Sequence, residues 1–581
     1  MPPVRPSVER LRRRTAHACE ICRLRKTRCD GRNPCQTCVQ NEEDCVYHEA
    51  PVLGKSKTDV VLETLLDLRA EISRLSTAVA VRNEADDTSS VGSARRAADR
   101  RDELPASIPN NHTSASEDLL RWHIFDDTPE LREGFKNVYE LENRRPAVPF
   151  RSTAVYPFIP ADHRDRLVDA FQRNVNFWYP VLSLDTVVGL VGVLWEHTPA
   201  QTCRACLAQL VMAVGFACLD VERAHPDSYA GEASWGGATA DPIGRTYFES
   251  ANRLLFLALA ENSVEAMLCL FYVGVYYGYL QRPIQAAFFL TATAAKCQTL
   301  LRYSKATLPA ADAECLNRVF WACFILESDM VVELRKLPQS GSSAIESSVD
   351  LPSRYQTHRD ERTSERSTLY FLACISIRRL LNRIHGLLYL DRAPDPDPDV
   401  SVMLELDRQL DEWHAVLPPQ LKFSRTDWAE RLTDPHQAFL RQRYLAAKSV
   451  IFRPAFNRVA ECDARGYHFE RDSPTVLAAV NCIDAALYHM LGLRGFCHTV
   501  FVDTWICALS MTGVALVLLV TVRSPSLKFY AEMAGPAQLA TYLKTLEDTL
   551  ESFTRASPDK SPTVGQCCAT IAYVRQRVRD G

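Results

Sequence analysis

The chain has 581 residues, 47% of them hydrophobic, which is ample for a large buried core plus smaller units. Its net charge of −4 gives no global sign of a polyanion partner. The charge is unevenly spread, however. Residues 1–32 carry Arg5, Arg10, Arg12, Arg13, Arg14, Arg23, Arg25, Lys26, Arg28 and Arg32 against only Glu9, Glu20 and Asp30, so this end suits a polyanion. The first residues, MPPVRPSVERLRRRTAH, hold no apolar core of the kind a secretory signal needs. A reducing compartment is therefore expected, where the twenty cysteines read as metal ligands or small core residues.

Residues 1–18 form a basic arm, in which Arg10, Arg12, Arg13 and Arg14 suit nuclear import, a contact to DNA phosphate, or both. Residues 19–48 follow as a cysteine-rich unit. Its six cysteines stand in two halves of one spacing: Cys19-x2-Cys22-x6-Cys29 and Cys35-x2-Cys38-x6-Cys45. Thiolates at C-x2-C spacing suit zinc, because the short loop brings two sulfurs onto one tetrahedral centre. One zinc would leave two thiols over. Two zincs need eight ligand positions, which six sulfurs fill only if two of them bridge. Since the halves are equivalent, the first cysteine of each, Cys19 and Cys35, is expected to be shared. Cys22 and Cys29 then complete one site, Cys38 and Cys45 the other. Two Zn²⁺ and six thiolates sum to −2, so attraction to phosphate must come from the side chains around them. Between Cys22 and Cys29 lies RLRKTR, and between Cys38 and Cys45 lies VQNEED. The first half can sit against DNA; the second, with Glu42, Glu43 and Asp44, is expected to face away.

Residues 49–60 are a connector. Val61, Leu65, Leu68, Ile72, Leu75 and Val79 then alternate four and three residues apart, a heptad seam that predicts a short coiled-coil dimerisation helix over 61–82. Residues 83–117 are charged, small or polar and read as a disordered linker. Long apolar stretches of helical length then fill 118–555, predicting one large all-α domain with two sub-bundles separated near 340–365, followed by a tail over 556–581. Residues 504–522 run without a charge and are long enough to span a bilayer; their setting among other apolar helical stretches favours a core helix.

The cysteine unit resembles the Zn2Cys6 binuclear cluster of fungal zinc-cluster transcription factors: ACEICRLRKTRC matches the basic first helix, and Pro34 the proline common in the inter-half loop. The resemblance implies two structural zincs per chain. It also implies that Lys26 donates to the bases of a CGG triplet, with Arg25 on bases or phosphate and Arg23 and Arg28 on phosphates. The helical region is similar to that family's regulatory, or middle homology, domain. The pieces that carry this likeness are NVNFWYPVLSLDTV (174–187), RVFWACFILESDMVVELRKLP (318–338), VDLP (349–352), LDRQLDEWHAVLPPQL (406–421) and IFRPAF (451–456). Within the second of these, ELRKLP stands where the family often has a Gly-Arg-Pro turn.

Other motifs carry no chemistry. Cys203-x2-Cys206 sits in an apolar helical stretch with no second pair near it, and the adjacent Cys567 and Cys568 suit neither one metal nor an easy disulfide. Asp391, Asp395, Asp397 and Asp399 lie in a stretch whose prolines forbid one helix face, so a solvated loop is expected. The resemblance implies a nuclear regulator of RNA polymerase II genes that is expected to bind double-stranded DNA as a homodimer and to engage the transcription machinery. It would act on a fungal metabolic gene set, without catalysis and without a membrane. The rivals are an enzyme with an appended zinc module and a membrane-tethered factor.

Overall fold

The structure, a computed structural model, describes Ile108 and residues 116–150, 158–194, 201–224, 242–334, 336–389, 398–491, 504–554 and 561–580. In the N-terminal segment it describes Cys19, Ile21, Cys22, Arg25, Thr27, Cys29, Asp30, Arg32 and residues 34–41 and 43–45. The chain divides into two units, 1–82 and 83–581. The basic arm, the connector and the heptad seam of 61–82 lie outside the described residues.

The smaller unit holds the helix α1 (Gln36–Gln40). In the larger one come α2 (Val138–Asn143), α3 (Ala161–Phe171), α4 (Leu184–Val193), α5 (Cys203–Ala224), α6 (Pro242–Ala260), α7 (Val264–Tyr279) and α8 (Pro283–Tyr303). They are followed by α9 (Ala310–Glu333), α10 (Glu361–Leu388), α11 (Val400–Ala415), α12 (Pro435–Ala464) and α13 (Pro474–Leu491). The last three are α14 (Thr504–Arg523), α15 (Pro536–Thr554) and α16 (Pro562–Asp580). No strand occurs among the described residues, in keeping with the all-α reading.

Local chemistry sets where these helices start. Pro242, Pro283, Pro435, Pro474, Pro536 and Pro562 each open a helix, where a missing N–H is harmless and φ is already helical. Ser183, Ser263, Asp360 and Asp434 cap α4, α7, α10 and α12 by accepting backbone N–H groups. Of the acidic run at 391–399, only Asp399 is described, and it caps α11, accepting from the N–H groups of Ser401 and Val402 at 3.0 and 3.3 Å.

Helices α5 to α8 pack on one another, as do α12 to α16, and α9 touches both groups, meeting α7 and α8 on one side and α10 and α14 on the other. The two groups expected on either side of 340–365 therefore form one unit. The apolar stretch at 504–522 is α14, which packs against α16, α15, α13 and the short helix Ser116–Leu119. Trp505, Leu516, Val517 and Leu518 on it have no exposed surface. By length and composition α14 and α5 pass for membrane spans, yet most of each is buried inside the bundle, as in a core helix.

One buried arginine ties together motifs far apart in sequence. Arg318 of α9 is wholly buried and donates to Glu314 Oε1 (2.7 Å), the Pro180 carbonyl (3.0 Å), the Ser353 carbonyl (2.6 Å) and Thr368 Oγ1 (3.2 Å). Its guanidinium lies 4.8 Å from the Tyr355 ring centre. Beside it, Trp321 Nε1 donates to the Asp350 carbonyl at 2.9 Å. The NFWYP, RVFW and VDLP stretches thus meet at one point. Asn176 braces the first of them, its side-chain amide exchanging bonds with the Leu182 backbone at 2.9 and 3.1 Å.

IFRPAF has an equally definite reason. Pro454 stands inside α12 and cannot donate to the carbonyl of Val450, one turn earlier. Tyr389 Oη donates to that carbonyl instead, at 2.6 Å. In ELRKLP, Lys336 takes φ 61°, left-handed backbone that glycine adopts without strain.

Two boundaries move. The domain was expected to end at 555, but α16 lies beyond it and packs on α14 and α15. Val564, Cys567, Ile571, Val574 and Val578 of α16 are buried, three and four residues apart, an amphipathic stripe. Its N-terminus is held by Glu142, which accepts from Ser561 Oγ (2.7 Å) and Thr563 Oγ1 (2.6 Å) and pairs with Arg145 at 2.8 Å. At the other end, the linker expected to reach 117 stops sooner. Ile108 is buried and its carbonyl accepts from Gln339 Nε2 at 2.7 Å, while Ser116 Oγ donates to the Leu509 carbonyl at 2.9 Å.

Candidate metal centre and nucleic-acid interface

The repeated cysteine spacing folds into a repeated backbone. Thr27 N donates to the Cys22 carbonyl and Glu43 N to the Cys38 carbonyl, both at 3.0 Å, so residues at equivalent places in the halves make the same bond. In the second half Cys35 is the N-cap of α1, its sulfur accepting from Cys38 N at 3.4 Å. Asp30 Oδ1 accepts from Gln36 N at 3.2 Å and from Arg32 N at 3.4 Å, fixing the loop that carries Pro34. Sequence reasoning passed over Asp30, which stands six residues before Gln36, too far from the helix start to read as a cap.

These turns bring all six sulfurs together. Cys19 Sγ lies 3.6 Å from Cys35 Sγ and 3.5 Å from Cys38 Sγ, and Cys22 Sγ lies 3.6 Å from Cys35 Sγ. Two groups of four sulfurs could each hold a metal ion, their atoms all within 4.8 Å of one another: Cys19, Cys22, Cys29 and Cys35, and Cys19, Cys35, Cys38 and Cys45. The groups overlap in Cys19 and Cys35. The first five cysteines are buried and Cys45 is partly so, although so small a unit has little other core. The thiols of the overlapping pair are held below their ordinary value. For Cys19 the chief cause is a backbone bond from Cys22; for Cys35, burial is the largest influence and opposes the shift, and the Cys38 N–H together with the Cys38 and Cys22 thiols outweighs it. Burial instead pushes Cys22 up to about 11. This donor set is all sulfur and closed, which fits structural zinc and leaves no position for a reacting water.

Of the four expected DNA contacts, Arg23, Lys26 and Arg28 lie outside the described residues. Arg25 is described, with 59% of its side chain exposed, and it is paired with Glu43. The acidic segment therefore does not turn away as a whole, since Glu43 reaches back to the cationic half. The expected dimer positions Val61, Leu65, Leu68, Ile72, Leu75 and Val79 lie outside the described residues.

The other cysteine pair is built differently. Cys203 and Cys206 are buried on α5, where Cys203 Sγ donates to Glu261 Oε2 and Cys206 Sγ to the Ala251 carbonyl, both at 3.3 Å. Burial pushes the Cys203 thiol up to about 12, the behaviour of a core cysteine.

Residues 17–52 match the fungal Zn(2)-Cys(6) binuclear cluster domain, and residues 168–415 match the fungal specific transcription factor domain. Over 477 residues the chain is 25% identical to ecdB of Aspergillus rugulosus, named as a putative transcription factor, across 78% of this chain and 81% of that one. Shorter stretches are similar to two further proteins. One is the maltose fermentation regulatory protein MAL13 of Saccharomyces cerevisiae, 39% identical over 57 residues, which are 10% of this chain and 12% of that one. The other is the depudecin biosynthesis cluster-specific transcription activator DEP6 of Fusarium langsethiae, 35% identical over 108 residues, 18% of this chain and 17% of that one. The zinc cluster and the helical domain together define a transcription regulator. The chain belongs to the fungal Zn2Cys6 transcription factors, and its cluster domain binds two zinc ions.

Proposed function

We propose that the chain reads CGG-type triplets in double-stranded DNA as a homodimer, in the nucleus, and regulates RNA polymerase II genes of one metabolic pathway. The observation that carries this reading is the pair of four-sulfur groups sharing Cys19 and Cys35, with RLRKTR set between two sulfurs of one group. In this reading the six cysteines are the zinc ligands, Cys19 and Cys35 bridging. When bound, the zincs supply folding free energy and a rigid frame rather than chemistry. The residues of the basic half then do the work: Lys26 donates to guanine edges in the major groove, and Arg23 and Arg28 bind phosphates. Arg25 is held by Glu43 and reaches a phosphate only when that pair opens. The heptad residues Val61, Leu65, Leu68, Ile72, Leu75 and Val79 pair two chains, so that two triplets are read together.

A pathway-specific role is supported by the likeness to DEP6, whose name states a cluster-specific activator, and to MAL13, whose name states a role in maltose fermentation. The helical domain is read as regulatory and non-catalytic. Selection of bound duplexes from a random pool by the full chain tests the reading: paired CGG triplets are expected, and recovery of sequences sharing no triplet sets it aside.

A further inference from the structure

Where α9, α10, α12, α13 and α14 converge, the helical domain holds a cavity of about 140 Å³. That is close to the size of an engineered apolar cavity that admits a benzene ring, about 150 Å³. Trp178, Tyr370 and Phe439 give it an aromatic wall, the Phe439 and Tyr370 ring centres lying 5.1 and 5.2 Å from the Trp178 ring, both edge to face. Ile325, Leu381 and Val514 extend the apolar surface from α9, α10 and α14.

Charges of both signs stand on the remaining wall. Arg378, Arg443 and Arg453 line it, and so do Asp329 and Glu333, one turn apart on α9. Asp329 is engaged: one oxygen accepts from Arg378, and the other from both terminal nitrogens of Arg443 at 3.4 Å. Glu333 is not held in this way. Its Oε2 is buried and has no hydrogen-bond partner among the described residues. Glu333 is also the last residue of α9, where the free carbonyls of the helix end add to the cost of a negative charge. Burial raises its carboxyl to about 7, against the pull of Arg453.

A buried carboxyl oxygen without a partner is costly. Water satisfies a carboxyl but gains nothing from the rings, whereas a molecule with both a hydroxyl and a ring serves both parts of the wall. Guanidiniums and carboxyls face the same space, so a ligand charge of either sign meets a like charge, and a neutral molecule fits best. A hydroxyl also suits either state of Glu333, donating to the ionised carboxylate and accepting from the protonated acid. We propose that this cavity is a binding site for a neutral, single-ring phenol. Its hydroxyl lies on Glu333 and its ring against Trp178, Tyr370 and Phe439. Nothing in this depends on DNA recognition.

Calorimetric titration of the full chain with phenol, beside toluene, which has nearly the same shape without the hydroxyl, tests the site. Phenol is expected to bind one to one and about tenfold or more tighter than toluene. Glu333→Leu removes the hydrogen-bonding group and is expected to abolish that preference. Glu333→Gln, a smaller change, is expected to weaken phenol about threefold or more and to leave toluene unchanged. The comparison of phenol with toluene uses the unaltered chain, and the glutamine variant covers a leucine variant that fails to fold. Phenol that binds no tighter than toluene, or no binding by either, overturns the proposal. So does a preference for phenol that is undiminished in the variants, since the hydroxyl then meets another group.

Discussion

Arg25, in the cationic segment of the first half, is ion-paired with Glu43, in the acidic segment of the second. The arginine is more than half exposed, so the pair contributes little to stability, on the order of 0–1 kcal/mol. Its effect is on where the guanidinium is held. Glu43→Gln should release Arg25 to a phosphate, tightening binding to all duplexes alike and steepening the salt dependence by about one in slope. Titrations of CGG and scrambled duplexes at two salt concentrations check this. A gain confined to CGG would mean that Arg25 reads a base.

The overlap of the two sulfur groups makes the six cysteines unequal. Cys19→Ser or Cys35→Ser should disturb both metals, whereas Cys29→Ser or Cys45→Ser should disturb one. Zinc counted by atomic absorption on the purified full chain should fall further for the first pair than for the second. A strong chelator should unfold the cluster while leaving most helical signal intact, because metal binding supplies the folding free energy of so small a unit. Equal zinc loss from all four variants would remove the bridging arrangement.

Arg318 is fully buried and satisfied by four acceptors and a ring. Arg318→Met keeps the bulk but leaves Glu314, 11% exposed, without its counter-charge, with only the Ser353 N–H and Oγ still donating to it. The helical domain should lose about 3–5 kcal/mol, read as a lower urea midpoint. A loss within about 1 kcal/mol, roughly the value of a surface pair, would mean that the NFWYP, RVFW and VDLP stretches are held by apolar packing alone.

How much of this was legible beforehand depended on sequence range. The cysteine unit is local: its repeated spacing led to the overlap at Cys19 and Cys35, and the residues between the cysteines carry the contrast of charge between halves. The Arg25–Glu43 pair was missed because charge segregation was read as spatial separation, whereas the repeated turn brings the two segments side by side. The buried stripe of α16 was present in the spacing of Val564, Cys567, Ile571, Val574 and Val578, but the basic end and the paired cysteines obscured it. The Arg318 junction and the cavity were not legible. Their partners lie on separate elements, 138 residues apart for Arg318 and Pro180 and 114 for Asp329 and Arg443, and only packing unites them.

Glu333 gives a stability signature in pH. Its carboxyl is raised from 4.5 to about 7, first by burial. Well below pH 4.5 it is neutral in both folded and unfolded chains and has no effect. As pH rises from 4.5 to 7 the unfolded chain releases its proton first, so the folded state is progressively disfavoured, and the effect levels off above 7. Glu333→Gln should therefore be near neutral for stability at about pH 4 and stabilising at about pH 8, by up to about 3 kcal/mol at roughly 1.36 kcal/mol per pKa unit. Paired denaturation curves of the variant and the unaltered chain at the two pH values check this. A variant that gains as much at the lower pH as at the higher would place an ordinary carboxylate there.

The central claim is that a zinc-held basic segment reads bases, with Lys26 as the reader. Its most direct measurement is the affinity of Lys26→Ala and the unaltered chain for a CGG duplex and for a scrambled duplex of the same length and salt. The account predicts a loss of roughly 1–3 kcal/mol per half-site on CGG and little on the scrambled duplex, so that the preference collapses. An equal loss on both duplexes would contradict it, making Lys26 a phosphate contact and leaving base reading to another residue.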